Sequence, residues 1–103
     1  MKDINPTELK SLLDEGKSVF LKLWKPGCGA CKLSEPAIER IEAKNASELE
    51  FVQISAADHP EMLEVAATEV LPVFFVFKSG ENKGKHIGFK GLKKLQEFVD
   101  ESL

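Results

Sequence analysis

At 103 residues, 43% of them apolar, the chain has the length of one ordinary domain and can bury one sheet with helices packed on it; a second domain is not expected. The two cysteines, Cys28 and Cys31, are too few for the multi-bridge frameworks of small secreted domains, so stability must come from the core. A formal net charge of −3 without an aromatic-interleaved basic stripe argues against nucleic acid as a partner, and no stretch approaches the roughly 20 apolar residues that would bring in a membrane.

Chain start and charge distribution add two expectations. Met1 to Pro6 holds no apolar run of roughly 7 to 15 residues of the kind that opens a secretory leader, so a cytoplasmic protein is expected. Positions 35 to 69 carry nine acids (Glu35, Glu39, Glu42, Glu48, Glu50, Asp58, Glu61, Glu64, Glu69) against Arg40 and Lys44. Positions 78 to 94 carry Lys78, Lys83, Lys85, Lys90, Lys93 and Lys94 against Glu81 alone. Two faces of opposite sign follow, either as ordinary solvated surface or as a means of steering a partner.

In chain order, Asn5-Pro6-Thr7-Glu8 reads as a helix start, with Asn5 as cap and Pro6 in the first position; Leu9, Leu12 and Leu13 form the apolar stripe, and Gly16 ends it. Ser18 to Trp24 is apolar at nearly every position except Lys22, as in a central parallel strand covered on both faces. A helix over Gly29 to Lys44 follows, its stripe read from Leu33, Ala37, Ile38 and Ile41, with a bend at Pro36. Leu49 to Ile54 reads as a strand, and Pro60 opens a short helix through Met62, Val65 and Ala66. Val73 to Phe77 is an unbroken β-branched and aromatic run. A turn at Ser79-Gly80-Glu81-Asn82 then leads to an antiparallel edge strand over Gly84 to Phe89. Leu92, Leu95, Phe98 and Val99 supply the stripe of a last helix. The order α-β-α-β-α-β-β-α, without repeats or linkers, predicts an α/β sandwich as a single domain over 1–103.

The chemistry concentrates in Trp24-Lys25-Pro26-Gly27-Cys28-Gly29-Ala30-Cys31-Lys32, between a buried strand and a helix start. Cysteines at i and i+3 lie on one face of a first turn, close enough for a disulfide, whose Cα separation must be about 4.4 to 6.8 Å. Unpaired N–H groups and the positive end of the helix dipole favour a thiolate at Cys28 by roughly 0.3 to 1 kcal/mol, and up to about 2 if partly buried. At about 1.36 kcal/mol per unit this moves a thiol from about 8.5 toward neutrality. Cys31, inside the first full turn, is expected to be the more buried. Cys28 then attacks a partner disulfide, and Cys31 resolves the mixed disulfide by closing the intramolecular ring. Lys32 adds a modest cationic bias. Two other readings stay open: half of a zinc site, for which no second pair exists and His59 and His86 stand singly, and two unreactive structural thiols.

These residues resemble the thioredoxin family. Trp24 matches its strand-end tryptophan, Cys28-Gly29-Ala30-Cys31-Lys32 resembles its Cys-Gly-Pro-Cys-Lys signature, and Pro36 matches its helix-bending proline. Leu71-Pro72 matches its cis-proline and Gly88 a glycine that lets the substrate backbone approach; the match runs from about Val19 to Val99. The resemblance implies the thioredoxin fold, a central mixed β-sheet of four main strands flanked by α-helices with the usual first strand shortened. It implies a monomeric protein-disulfide reductase with a redox-active Cys28-Cys31 disulfide, no bound metal or organic cofactor, disulfide-containing proteins as substrates and an NADPH-dependent thioredoxin reductase as electron donor. It also implies that Leu71 binds the substrate strand.

The chain departs from that pattern at four positions. Lys22 stands where the family has a buried aspartate, and Gln53 where it has that aspartate's lysine partner. A cation beneath the disulfide favours thiolates, unless Lys22 snorkels outward along its stem. Ala30 replaces a proline, and with Gly29 forms the intervening pair that tunes redox poise in this fold. Both departures point to a reduction potential less negative than the about −270 mV of thioredoxin itself. Gly27 replaces a second tryptophan, removing part of the apolar substrate groove, while Trp24 either packs in the core or borders the thiols. The rival function is a thioredoxin-fold binding or assembly module whose cysteines are spectators.

Overall fold

The computed structural model describes Met1–Leu103. Its elements are β1 (Lys2–Asp3), α1 (Pro6–Asp14), β2 (Val19–Trp24), α2 (Gly29–Leu33), α3 (Glu35–Asn45), β3 (Glu50–Ser55), α4 (Glu61–Ala66), β4 (Val73–Lys78), β5 (Glu81–Ile87) and α5 (Leu92–Ser102). The strands form one mixed sheet in the order β1-β3-β2-β4-β5. β1 and β2 run parallel to β3, whereas β2 and β4, and β4 and β5, are antiparallel. The central strand β2 is therefore parallel on one side only, which corrects the expectation of a parallel strand.

Alternation along β2 explains its continuous apolar run. Val19, Leu21 and Leu23 face a layer closed by Leu9 of α1 and by Met62 and Ala66 of α4. Phe20 faces the other way, with Ile38 and Ile41 of α3 and Leu95 and Val99 of α5. There it stacks on Phe51 at 4.8 Å and lies 5.6 Å from Phe74, centroid to centroid. Lys22 belongs to this second face. α1 starts as the sequence requires: Asn5 Oδ1 accepts from the Glu8 amide (2.8 Å) and Glu8 Oε1 from the Asn5 amide (3.1 Å), a capping box with Pro6 behind it.

Three details differ from the periodicity. The helix predicted over Gly29 to Lys44 is two helices separated at Ser34. Pro36 has no N–H for the Lys32 carbonyl, so the rod yields one turn ahead of it. The buried stripe is Cys31, Ser34, Ala37, Ile38, Ile41 and Asn45, which leaves Leu33 71% exposed; the stripe contains polar residues that an apolar count passes over. In α4 only Met62 and Ala66 are buried, and Val65 is 70% exposed because a helix of six residues has one narrow inward face.

The hairpin is also tighter than predicted. Lys78 pairs with Glu81, so the turn is Ser79-Gly80 alone, both with positive φ (52° and 84°), and Glu81 and Asn82 already belong to β5. A side chain at Gly80 would place its Cβ 2.5 Å from the Leu13 carbonyl oxygen. Gly80→Ala is accordingly expected to lower stability by about 1 to 3 kcal/mol in urea unfolding, with the slope unchanged.

Candidate functional site

β2 ends at Trp24, and the chain turns through Lys25-Pro26-Gly27 into α2. Gly27 takes φ +80°, a conformation that glycine adopts freely. The Cys28 amide donates to the Lys25 carbonyl at 3.3 Å, closing the turn. Cys28 is the N-cap of α2, and its Sγ accepts from the Cys31 amide at 3.1 Å, the place a serine or aspartate oxygen fills in other helices. The two cysteines form a disulfide, with Cα atoms 5.3 Å apart. Cys28 is half-buried and Cys31 is 3% exposed.

Behind Cys31 lies a cation. Lys22 is 2% exposed, and its Nζ donates to the Cys31 carbonyl at 2.9 Å. The outward-snorkelling alternative is thereby overturned: α3 and α5 cover this face, and the ammonium finds an acceptor inside. The same carbonyl accepts from Ser34 Oγ at 2.6 Å, and Ser34 is fully buried. Burial pulls the Lys22 ammonium below the usual lysine range, opposed by attraction to Glu35 and then to Asp3. Neither carboxylate was singled out from the sequence. Glu35 adjoins the motif by four positions, but Asp3 is brought in only by strand pairing.

Trp24, Lys25, Pro26, Gly27, Cys28, Gly29, Lys32 and Glu35 line a cleft of about 370 Å³ at the disulfide. Trp24 thus borders the thiols, and its Nε1 donates to Asp3 Oδ1 at 3.0 Å. A second cavity, of about 220 Å³, lies between α3 and Gln53 and shares Glu35 with the first. Ala30 is exposed on α2. Leu71, Pro72 and Gly88 do not line the cleft. The Leu71-Pro72 bond is cis, the Pro72 carbonyl accepts from the Gly88 amide at 2.7 Å, and Gly88 has φ +80°. Val73 pairs with Leu23, so Pro72 comes at the end of the sheet where Trp24 leaves β2.

His86 lies elsewhere, on β5, 5.2 Å from the Phe98 ring, and burial followed by the nearby Lys90 and Lys94 lowers its pKa. No helix is long and apolar enough to cross a membrane.

The sequence model of the Thioredoxin family matches residues 1–101. The chain belongs to the thioredoxin family. A thioredoxin of Bacillus subtilis is 31% identical over 85 residues, 82% of each chain, and one of Mycoplasma genitalium is 30% identical over 93 residues, 90% of each. The same fold is seen in mitochondrial thioredoxin 3 of Saccharomyces cerevisiae in its oxidised form (TM-score 0.86, 20% identity, 98% of this chain and 94% of that one). It is seen again in the thioredoxin of Fasciola hepatica (TM-score 0.85, 20% identity, all of both chains). As a member of the thioredoxin family with a Cys28–Cys31 disulfide at the strand-to-helix junction, the chain is a thiol:disulfide oxidoreductase that acts as a protein-disulfide reductase.

Proposed function

We propose that the chain, as a single monomeric domain over 1–103 in the cytoplasm, reduces disulfides in partner proteins with Cys28 as nucleophile and Cys31 as resolving thiol. In the reduced form the Cys28 thiolate attacks one sulfur of the partner disulfide; a Cys28–partner bond forms and the other partner sulfur leaves as a thiolate. The Cys31 thiol loses its proton and attacks Cys28 Sγ, the mixed disulfide breaks, and the second partner sulfur leaves and takes up a proton. Two electrons pass to the partner and the Cys28–Cys31 disulfide remains. An NADPH-dependent thioredoxin reductase, the donor implied by the family, returns the electrons.

The observation that carries this reading is the Cys31 amide directed at Cys28 Sγ (3.1 Å) across the start of α2, with Cys28 lining an open cleft. That N–H supplies a charge-assisted hydrogen bond to a thiolate, and the helix end adds its dipole. Lys32 contributes a cation on the same wall. For the substrate, Gly27 leaves the cleft's rim low, and the backbone at Leu71, Pro72 and Gly88 provides the strand-like edge. Gly29 and Ala30 set the flexibility of the loop between the cysteines, and no metal or organic cofactor takes part. The test is reduction of an insulin-type disulfide: the native chain turns over with a thiol or reductase donor, and Cys28→Ser abolishes turnover. Unchanged activity in Cys28→Ser would remove the reading.

A further inference from the structure

β1 is two residues long and lies at the sheet's edge, yet it delivers one carboxylate to partners on both β3 and β2. Asp3 pairs with Gln53, and Gln53 pairs with Lys22, so the three form one row across the sheet. Trp24 is two residues beyond Lys22 and so lies on the same face. Trp24 Nε1 donates to Asp3 Oδ1 at 3.0 Å, and Gln53 Nε2 donates to Asp3 Oδ1 and Oδ2, each at 3.2 Å. The strand itself is held by the Ile4 amide on the Gln53 carbonyl (2.8 Å) and by the buried Ile4 side chain. The indole that Asp3 grips is the wall the cleft shares with Cys28. A tryptophan side chain has two rotatable bonds, and an acceptor on its one N–H fixes both.

We propose that Asp3 is a positioning residue of the dithiol site, its carboxylate fixing the Trp24 indole against the cleft in which Cys28 meets its substrate. The proposal rests on the reductase reading and adds to it a control point more than twenty residues upstream of the motif. Gln53 completes the arrangement by holding the second carboxylate oxygen, so that the grip does not rotate. The effect is steric and orientational: the wall is kept in one place for the partner's backbone, and small misplacements at a reacting site cost rate steeply.

The chain has one tryptophan, so a single indole N–H resonance reports the contact without turnover. In the native protein that resonance is expected to move when the disulfide is reduced, because the indole borders the cleft that holds Cys28. In Asp3→Ala that response is lost, and kcat/KM for a protein disulfide falls about tenfold. Asp3→Asn, whose side-chain carbonyl still accepts from the indole, is expected to keep kcat/KM within about twofold of native. Trp24→Phe, which removes the N–H but leaves Asp3 on Gln53, is expected to lose about as much as Asp3→Ala, and the double variant no more than either. Native activity in Asp3→Ala, equal loss in Asp3→Asn, or additive losses in the double variant would each overturn the proposal. Should Asp3→Ala fail to fold, Trp24→Phe and Asp3→Asn decide. A native chain that reduces no protein disulfide removes the reductase reading and this proposal with it, whereas activity with an unresponsive indole removes this proposal alone.

Discussion

Cys31→Ser is expected to stop the reaction half-way, with the partner held on Cys28 as a mixed disulfide. The first step keeps its machinery: the residue-31 amide still donates to Cys28 Sγ, and the cleft is unaltered. Mixed-disulfide formation should therefore run within about threefold of native. Release needs a second sulfur within bonding range, which the native chain supplies across a Cα separation of 5.3 Å and a serine hydroxyl cannot replace. Turnover is expected to fall on the order of a thousandfold or more. The adduct should be visible on non-reducing gels and by mass, and should disappear with added dithiol. Because residue 31 is buried, the hydroxyl is also expected to cost about 1 to 3 kcal/mol of stability where it finds no partner. Ordinary turnover without an adduct would show that resolution comes from outside the pair.

The second large effect is expected at Lys22. A buried ammonium on the Cys31 carbonyl favours anionic sulfur, which exists only in the dithiol form, and so raises the reduction potential. Lys22→Met, of similar length without the charge, should shift the potential about 30 mV or more toward negative values, or about 1.4 kcal/mol for this two-electron couple. Burial lowers the Lys22 pKa, so the sign of the pH dependence is set. Below that pKa the cation is present and the two proteins differ; as pH rises through it the charge is lost and their potentials converge. Equilibration against glutathione at several pH values checks this. Stability should move the other way. The unfolded chain binds the lysine proton more tightly than the folded one, so the native protein gains stability as pH rises through the folded pKa. At neutral pH Lys22→Met is expected to melt at the same or a higher temperature, since Ser34 Oγ still serves the Cys31 carbonyl. A potential indifferent to Lys22→Met across the range would discard this role for the lysine.

Much of the site was legible in the residues. Trp24 to Lys32 placed a thiol pair at a strand-to-helix junction, and the strand stands where the apolar run ending at Trp24 put it. The helix caps were equally local: Asn5, Pro6 and Glu8 are within four positions of one another and need nothing distant to form a capping box. Pro36 announced an interruption, though not that it would fall at Ser34. Misreadings arose where an apolar residue was assumed to be buried: Leu33 and Val65 are both largely exposed, while Ser34, Lys22 and Asn45 are inside. Whether a side chain is covered depends on the neighbouring element, and periodicity reports only which side chains share a face.

By itself, then, the sequence determined the features that arise within a turn or a strand: the elements from α1 onward in their order, with α2 and α3 read as one bent helix, the spacing of the two sulfurs, and the dipole at the start of α2. The tertiary structure decided what surrounds those sulfurs. That Lys22 turns inward to Cys31, that Asp3 reaches Trp24 across Gln53, and that Glu35 borders both cavities are consequences of register among β1, β3 and β2 and of α3 packing over them. A one-residue slip in β1 would turn Asp3 to the opposite face while leaving every local propensity intact, which is why this part of the site could be seen only once the strands were in place.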